Sequence, residues 1–202
     1  MNLVTTFFEF LLYFLFILVI YYSFKMNGKY PTLIFFLPLF IQAFIIEELA
    51  VAIFYGFYYP NYNIYLLHVP LGIVLGWCSV VYISFYLAKK LLTSEYVGSK
   101  TSLLKLSITS ALIGLGIDLF LEPISSVWNF WIWNNPDIYF NASIENFISW
   151  FMIIFLFISV YTFLTKKVEG YKKKILLMFA SVIPQVIILI TIIMIWKFTI
   201  NL

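Results

Sequence analysis

Residues 3–24 read LVTTFFEFLLYFLFILVIYYSF, an apolar run broken by a single charge, Glu9. A helix of that length rises roughly 33 Å at about 1.5 Å per residue, enough to cross ~30 Å of hydrocarbon. No basic leader precedes the run and no small-residue cleavage site follows it, so it is expected to be a retained span rather than a signal peptide. Similar runs recur at 32–55, 64–87, 103–121, 147–164 and 175–195. The expected fold class is therefore all-α: a polytopic transmembrane bundle of six spans, forming one integral membrane domain over residues 1–202.

Composition supports this and excludes other classes. With 64% hydrophobic and 10% charged residues, the chain has too little polar surface to coat a water-soluble globule. Its net charge of +3 does not suggest a nucleic-acid partner, because all twelve basic residues are lysines and arginine, the bidentate reader of phosphates and base edges, is absent. The lone cysteine, Cys78, lies in an apolar run and allows neither an internal disulfide nor a thiolate metal site. No phosphate-binding glycine loop, dinucleotide fingerprint, His-rich metal spacing or inverted repeat is present, so no cofactor and no metal are expected.

The lysines orient the chain. Lys25 and Lys29 follow the first span, Lys89, Lys90, Lys100 and Lys105 surround the third connection, and Lys166, Lys167, Lys172, Lys173 and Lys174 fill the fifth. The second and fourth connections contain none, and Lys197 follows the last span. By the positive-inside rule, the lysine-bearing loops face the cytoplasm and both termini lie outside, as expected for a protein of a prokaryotic cell membrane. Pro38, Pro70 and Pro184 fall inside the expected spans, where a missing N–H frees a carbonyl that a neighbour must satisfy.

The long fourth connection, 122–146, carries Val127-Trp128-Asn129-Phe130-Trp131-Ile132-Trp133. Three indoles at one level fit either an aromatic belt at the headgroups or a short interfacial or re-entrant helical segment capping a cavity. Ionisable residues gather at the same level. Glu47 and Glu48 sit in the outer half of span two, His68 near the outer start of span three, and Asp118 and Glu122 at the outer end of span four. Asn146 and Trp150 open span five, and Glu9 lies two turns into span one.

A carboxylate inside a span costs roughly 2.5–3.5 kcal/mol on insertion scales, so several at one depth call for an explanation. Asp118 and Glu122, four residues apart, share a helix face, and as a poorly hydrated pair they are expected to hold a proton between them. One protonated and one ionised carboxyl make a general acid and a general base. The plainer alternative is two ordinary charges at a helix end. Glu47 and Glu48 point about 100° apart, so one of them is expected to face inward. A lone histidine such as His68 more often packs than catalyses. Gly72 with Gly76, and Gly114 with Gly116, read as close-packing helix faces.

From span two to span five the chain resembles the carotenoid biosynthesis membrane protein family, whose members include carotenoid hydratases such as bisanhydrobacterioruberin hydratase. The resemblance is carried by Asp118-Leu-Phe-Leu-Glu122-Pro123, Trp128, Trp131-Ile-Trp133, Tyr139-Phe140 and Asn146-Phe147-Ile-Ser-Trp150. It is more weakly carried by Glu48, by Gly56 with its following tyrosines, and by Val69-Pro70 leading to Trp77. It implies addition of water to a terminal isoprenoid double bond of a lipid-soluble polyene or polyprenoid. The partners it implies are that substrate, membrane lipids and other enzymes of the pathway. Such chemistry needs an acid to protonate carbon, aromatic faces to stabilise a carbocation and a base to orient water. Asp118, Glu122, Glu48, Glu47 and His68 are the catalytic candidates; Trp128, Trp131, Trp133, Tyr139, Asn146 and Trp150 are the substrate-binding ones. A carotenoid cyclase or isomerase using the same acid chemistry, and a small proton-coupled transporter using the carboxyls as a relay, are the alternatives.

Overall fold

The computed structural model describes residues 2–92, 100–135 and 138–200. Residues 93–99, the middle of the third, lysine-flanked connection, and residues 136–137 lie outside the described residues. The chain forms an all-α transmembrane bundle: α1 (Leu3–Asn27), α2 (Lys29–Glu48), α3 (Leu71–Leu91), α4 (Lys100–Trp128), α5 (Ile144–Lys167) and α6 (Tyr171–Ile200). All six are long and apolar enough to cross a membrane. A π-helical turn, Leu49–Ile53, extends α2.

Sequence dictates the joints. Between α1 and α2 there is only Gly28, at φ +81°, a conformation that glycine adopts without a Cβ penalty; its N–H closes on the Phe24 carbonyl. Helix α4 packs between α3 and α5, α1 lies against α3 and α2, and α6 closes the bundle against α2 and α5. Where α3, α4 and α5 meet, a Cβ on Gly114 would overlap Ile154 Cδ1 and stand 3.3 Å from Ser84 Oγ. Gly72 and Gly76 do the same for α1 and α3, since a Cβ at either would lie 3.1 Å from Glu9 Cγ or Leu12 Cδ2 respectively. Gly116 has open space around it and makes no such contact. Cys78 is a buried free thiol within this packing.

The lysine-poor end of the bundle carries a lid. Four two-residue strands, β1 (Phe57–Tyr58), β2 (Tyr65–Leu66), β3 (Val69–Pro70) and β4 (Ile132–Trp133), form two antiparallel ribbons. In the first, Phe57 pairs with Trp133 and Tyr58 with Ile132, tying the second connection to the fourth. In the second, Tyr65 pairs with Pro70 and Leu66 with Val69 around a turn at Leu67 and His68.

This hairpin corrects the expected start of the third span. Residues 64–70 are not helical: Pro70 drives Val69 out of the α region, Leu67 takes a left-handed φ of +55° in the turn, and α3 begins directly after Pro70. His68 consequently sits in the lid turn. The fourth span also runs further than expected, through Pro123 to Trp128. Pro123 removes the N–H that would have bonded the Leu119 carbonyl four residues back, and the Tyr139 hydroxyl donates to that oxygen instead, at 3.0 Å. The helical segment expected between spans four and five is thus the continuation of α4. It stops at Asn129, which takes a left-handed φ of +54°.

Candidate functional site

Among the described residues, four carboxyls are buried at the lysine-poor end: Glu9, Glu47, Asp118 and Glu122. Each is answered by neutral donors. Glu47 Oε1 accepts from Trp77 Nε1 and Oε2 from the Tyr59 hydroxyl, both at 2.5 Å. Glu122 Oε2 takes two indole N–H groups, Trp131 at 3.1 Å and Trp133 at 3.2 Å. Its Oε1 accepts from Asn146 Nδ2 at 3.0 Å, while the same nitrogen donates to Asp118 Oδ2 at 2.9 Å. One amide therefore clamps both carboxyls of α4, and since both neighbours are acceptors, its NH₂ must be the end that faces them. Asp118 Oδ1, fully buried, has no hydrogen-bond partner among the described residues.

Local structure explains why these groups converge. Asp118 and Glu122 are one helical turn apart on the inward face of α4, and Asn146 occupies the first turn of α5 beside them. Trp131 and Trp133 are brought back over Glu122 by the reversal at Asn129, in which the Ser125 hydroxyl receives the Trp131 N–H at 3.2 Å. The β1–β4 pairing then fixes Trp133 against Phe57, with ring centroids 4.9 Å apart.

Between these groups lies a hollow of about 540 Å³, counting the space at its mouth, into which Glu47, Glu122, Asn146, Trp131 and Trp133 project. Trp77 and Trp150, tilted by 31° with centroids 4.1 Å apart, form one wall, and Phe8, Leu12 and Ile73 contribute to the rest. Asp118 is not among its lining residues; it stands behind Asn146 and Glu122. A second hollow shares Glu47, Phe57, Trp77, Trp133, Asn146 and Trp150 with the first. It leads between α2, α5 and α6, past Ile153, Leu189 and Ile193, to the exposed Phe54 and Met194. A mostly apolar passage, with Glu145 and Lys197 also in its lining, thus runs from beside the acidic hollow to the flank of the bundle.

Not every residue singled out in the sequence belongs here. Glu48 pairs with His68 (Oε1 to Nδ1, 2.5 Å) and also accepts its backbone N–H at 3.1 Å. The His68 side chain is 65% exposed, and neither residue lines either hollow. The inward-facing member of the adjacent glutamates is Glu47. Trp128 is exposed beyond the hollow, and Tyr139 supports the backbone at Pro123 rather than the chamber. Glu9 is engaged with the lid, accepting from Tyr13, from the Asn63 amide and side chain, and from the Ile64 amide. Tyr59, Trp77, Phe57 and Phe8 enter the site although spacing did not single them out. The available signal was the i, i+4 relation of Ile73 with Trp77 and of Phe8 with Leu12, which puts each pair on one helix face. Burial raises the Tyr59 phenol well above its ordinary range, reinforced by the facing Glu47 carboxylate, so it remains a donor.

Fold and hollow together define an integral membrane protein that holds acids behind an aromatic lid, with an apolar passage to one flank. Residues 7–202 match the family described as carotenoid biosynthesis protein, and the chain belongs to that family. Comparison with curated proteins and with solved structures gave no match. The protein's role lies in carotenoid biosynthesis.

Proposed function

We propose that the protein is a carotenoid hydratase, adding water to a terminal isoprenoid double bond in the hollow beneath the lid. The observation that carries this reading is the convergence of Glu47, Glu122 and, through Asn146, Asp118 on one aromatic-walled space reached by an apolar passage. The polyene enters between α2 and α6 with its chain along the passage and its end group among Trp77, Trp133 and Trp150.

The Asp118–Glu122 pair holds one proton. Asp118, with a single donor and an unpartnered oxygen, is the poorer place for a negative charge, whereas three N–H groups favour charge on Glu122. The proton passes to the less substituted alkene carbon through Glu122, the member of the pair that reaches the hollow. A C–H bond forms, the π bond breaks, and a tertiary cation is left facing the indoles. Water adds its oxygen to that cation and gives up a proton to Glu47, which Trp77 and Tyr59 hold in its accepting form. The sum is alkene plus water to tertiary alcohol, and proton return from Glu47 to the α4 pair resets the site.

The test is incubation of the purified protein with a polyene bearing a terminal isopropylidene group in heavy-oxygen water. A product carrying one labelled hydroxyl supports hydration. A rearranged or cyclised product without label would establish the cyclase or isomerase reading instead, and uptake of a solute into proteoliposomes without chemistry would establish a transporter. Asp118→Asn and Glu47→Gln are each expected to abolish product while the protein still folds. Full activity in either variant removes that residue from the mechanism.

A further inference from the structure

The opposite, lysine-rich end holds a separate cavity of about 990 Å³, counting its mouth, far along the bundle from the acidic hollow and sharing none of its lining residues. Its inner wall is aromatic. Phe35 packs edge-on against Tyr82 and Tyr161, with centroids 5.4 and 4.9 Å away, and Phe85 completes the wall. Its lining also includes Lys89, Lys105 and Lys166, contributed by three different helices. Among the described residues no carboxylate lines the cavity, and neither Lys89 nor Lys166 forms an ion pair. Lys89 is held over the Phe85 ring at 5.4 Å, which sets its ammonium at the edge of the aromatic wall. The Tyr161 hydroxyl, on the same wall, makes no hydrogen bond to protein among the described residues, although its neighbours Thr162 and Thr165 satisfy theirs on backbone carbonyls.

Membrane orientation accounts for lysines in a loop, but it does not require three of them, from separate helices, to border one aromatic-walled cavity. Basic pockets between transmembrane helices on the lysine-rich side suit phosphate headgroups, and the deeper apolar wall suits a hydrocarbon chain. We propose that this cavity binds an anionic amphiphile through its phosphate, with Lys89 and Lys166 on the phosphate oxygens, Tyr161 as a further donor and the chain against Phe35 and Phe85. The phosphate belongs either to a membrane phospholipid or to a phosphorylated prenyl chain, two sources of one chemistry.

The probe is dodecyl phosphate, titrated into the full-length protein in non-ionic micelles and followed by the rise in Tm, alongside dodecanol and inorganic phosphate. Dodecyl phosphate is expected to stabilise at concentrations where the other two do not. The double variant K89Q/K166Q is expected to raise its half-saturating concentration by at least about tenfold, as for loss of charge-assisted contacts. The control K172Q/K173Q removes the same charge from exposed lysines that do not line the cavity, and is expected to leave the titration unchanged. Equal weakening by both variants, or stabilisation by dodecanol alone, overturns the proposal. Phosphatidic acid and farnesyl phosphate, tested in the same way, identify the source: each is expected to lose affinity in K89Q/K166Q if it is the ligand, and failure of both refutes the site.

Discussion

Replacing Asn146 with alanine removes the one nitrogen that donates to both Asp118 and Glu122, at 2.9 and 3.0 Å. Glu122 keeps its two indole donors, but Asp118, fully buried with its other oxygen already unpartnered, is left with no hydrogen bond to any described residue. On the proposed chemistry Glu122 is the charged member, and a hydrogen bond to it contributes about 1.5–3 kcal/mol against about 0.5–1.5 kcal/mol for the bond to neutral Asp118, so the two together set a loss of roughly 2–4.5 kcal/mol. At about 2–4 °C per kcal/mol for a chain of this size, Tm in non-ionic micelles should fall by roughly 4–18 °C. The decisive comparison is the same substitution in an Asp118→Leu background. Position 118 then offers no acceptor, so Asn146→Ala should cost only its bond to Glu122, about 1.5–3 kcal/mol. The coupling between the two positions should therefore be about 0.5–1.5 kcal/mol. If Asn146→Ala lowers Tm equally in both backgrounds, the amide does not hold the two carboxyls together and the account of the pair fails.

Gly114→Ala should destabilise by about 1–3 kcal/mol, as the new methyl meets Ile154 Cδ1 in a filled contact, and Ile154→Val, which removes that atom, should restore much of the loss in Tm. Glu48→Gln breaks a pair whose histidine is mostly in solvent, so it should cost under about 1 kcal/mol. On the proposed chemistry it should also leave product formation near that of the parent protein; loss of turnover would bring Glu48 back into the site. The Tyr59 phenol, raised by burial and by Glu47, gives stability that is complete below its ordinary value near 10 and is lost as the pH climbs toward its folded value. Tyr59→Phe should therefore flatten the decline of Tm above about pH 10, and an unchanged alkaline profile would contradict the Tyr59–Glu47 bond.

The depth of the acidic residues was legible because alternation of span direction fixes it: Glu47, Asp118 and Glu122 each fall near the same end of their helices, whatever the packing. Azimuth was not. Glu47 and Glu48 differ by one residue and about 100°, and which of them faces inward depends on how α2 sits against α3, whose Trp77 answers Glu47. The apolar run through residues 64–69 looks like the head of a span, but Pro70 drives Val69 out of the α region and the chain before it turns at Leu67 and His68, which puts His68 outside the helix. The lid was hidden for a different reason. Two-residue strands leave no periodic signal, and the pairing of Phe57 with Trp133 joins segments far apart in the chain.

The way the buried acids are satisfied also says what kind of charge the hollow can accept. A buried carboxylate can be stabilised by a cation or by neutral N–H and O–H donors. This protein uses donors throughout: two indoles and an amide at Glu122, an indole and a phenol at Glu47, that same amide at Asp118. Among the described residues no lysine lines the acidic hollow, although the chain has twelve and Lys197 lines the adjoining one. Neutral donors hold a carboxylate in place without cancelling its field, which in an apolar surround reaches further than it would in water. On the proposed chemistry, that uncancelled negative potential together with the faces of Trp77 and Trp150 would favour a transient carbocation over the neutral alkene from which it forms. A lysine in the same space would stabilise the resting carboxylates better and oppose the intermediate. The separation of charge along the molecule, acids under the lid and the lysines other than Lys197 at the far end, therefore has a chemical reading as well as a topological one.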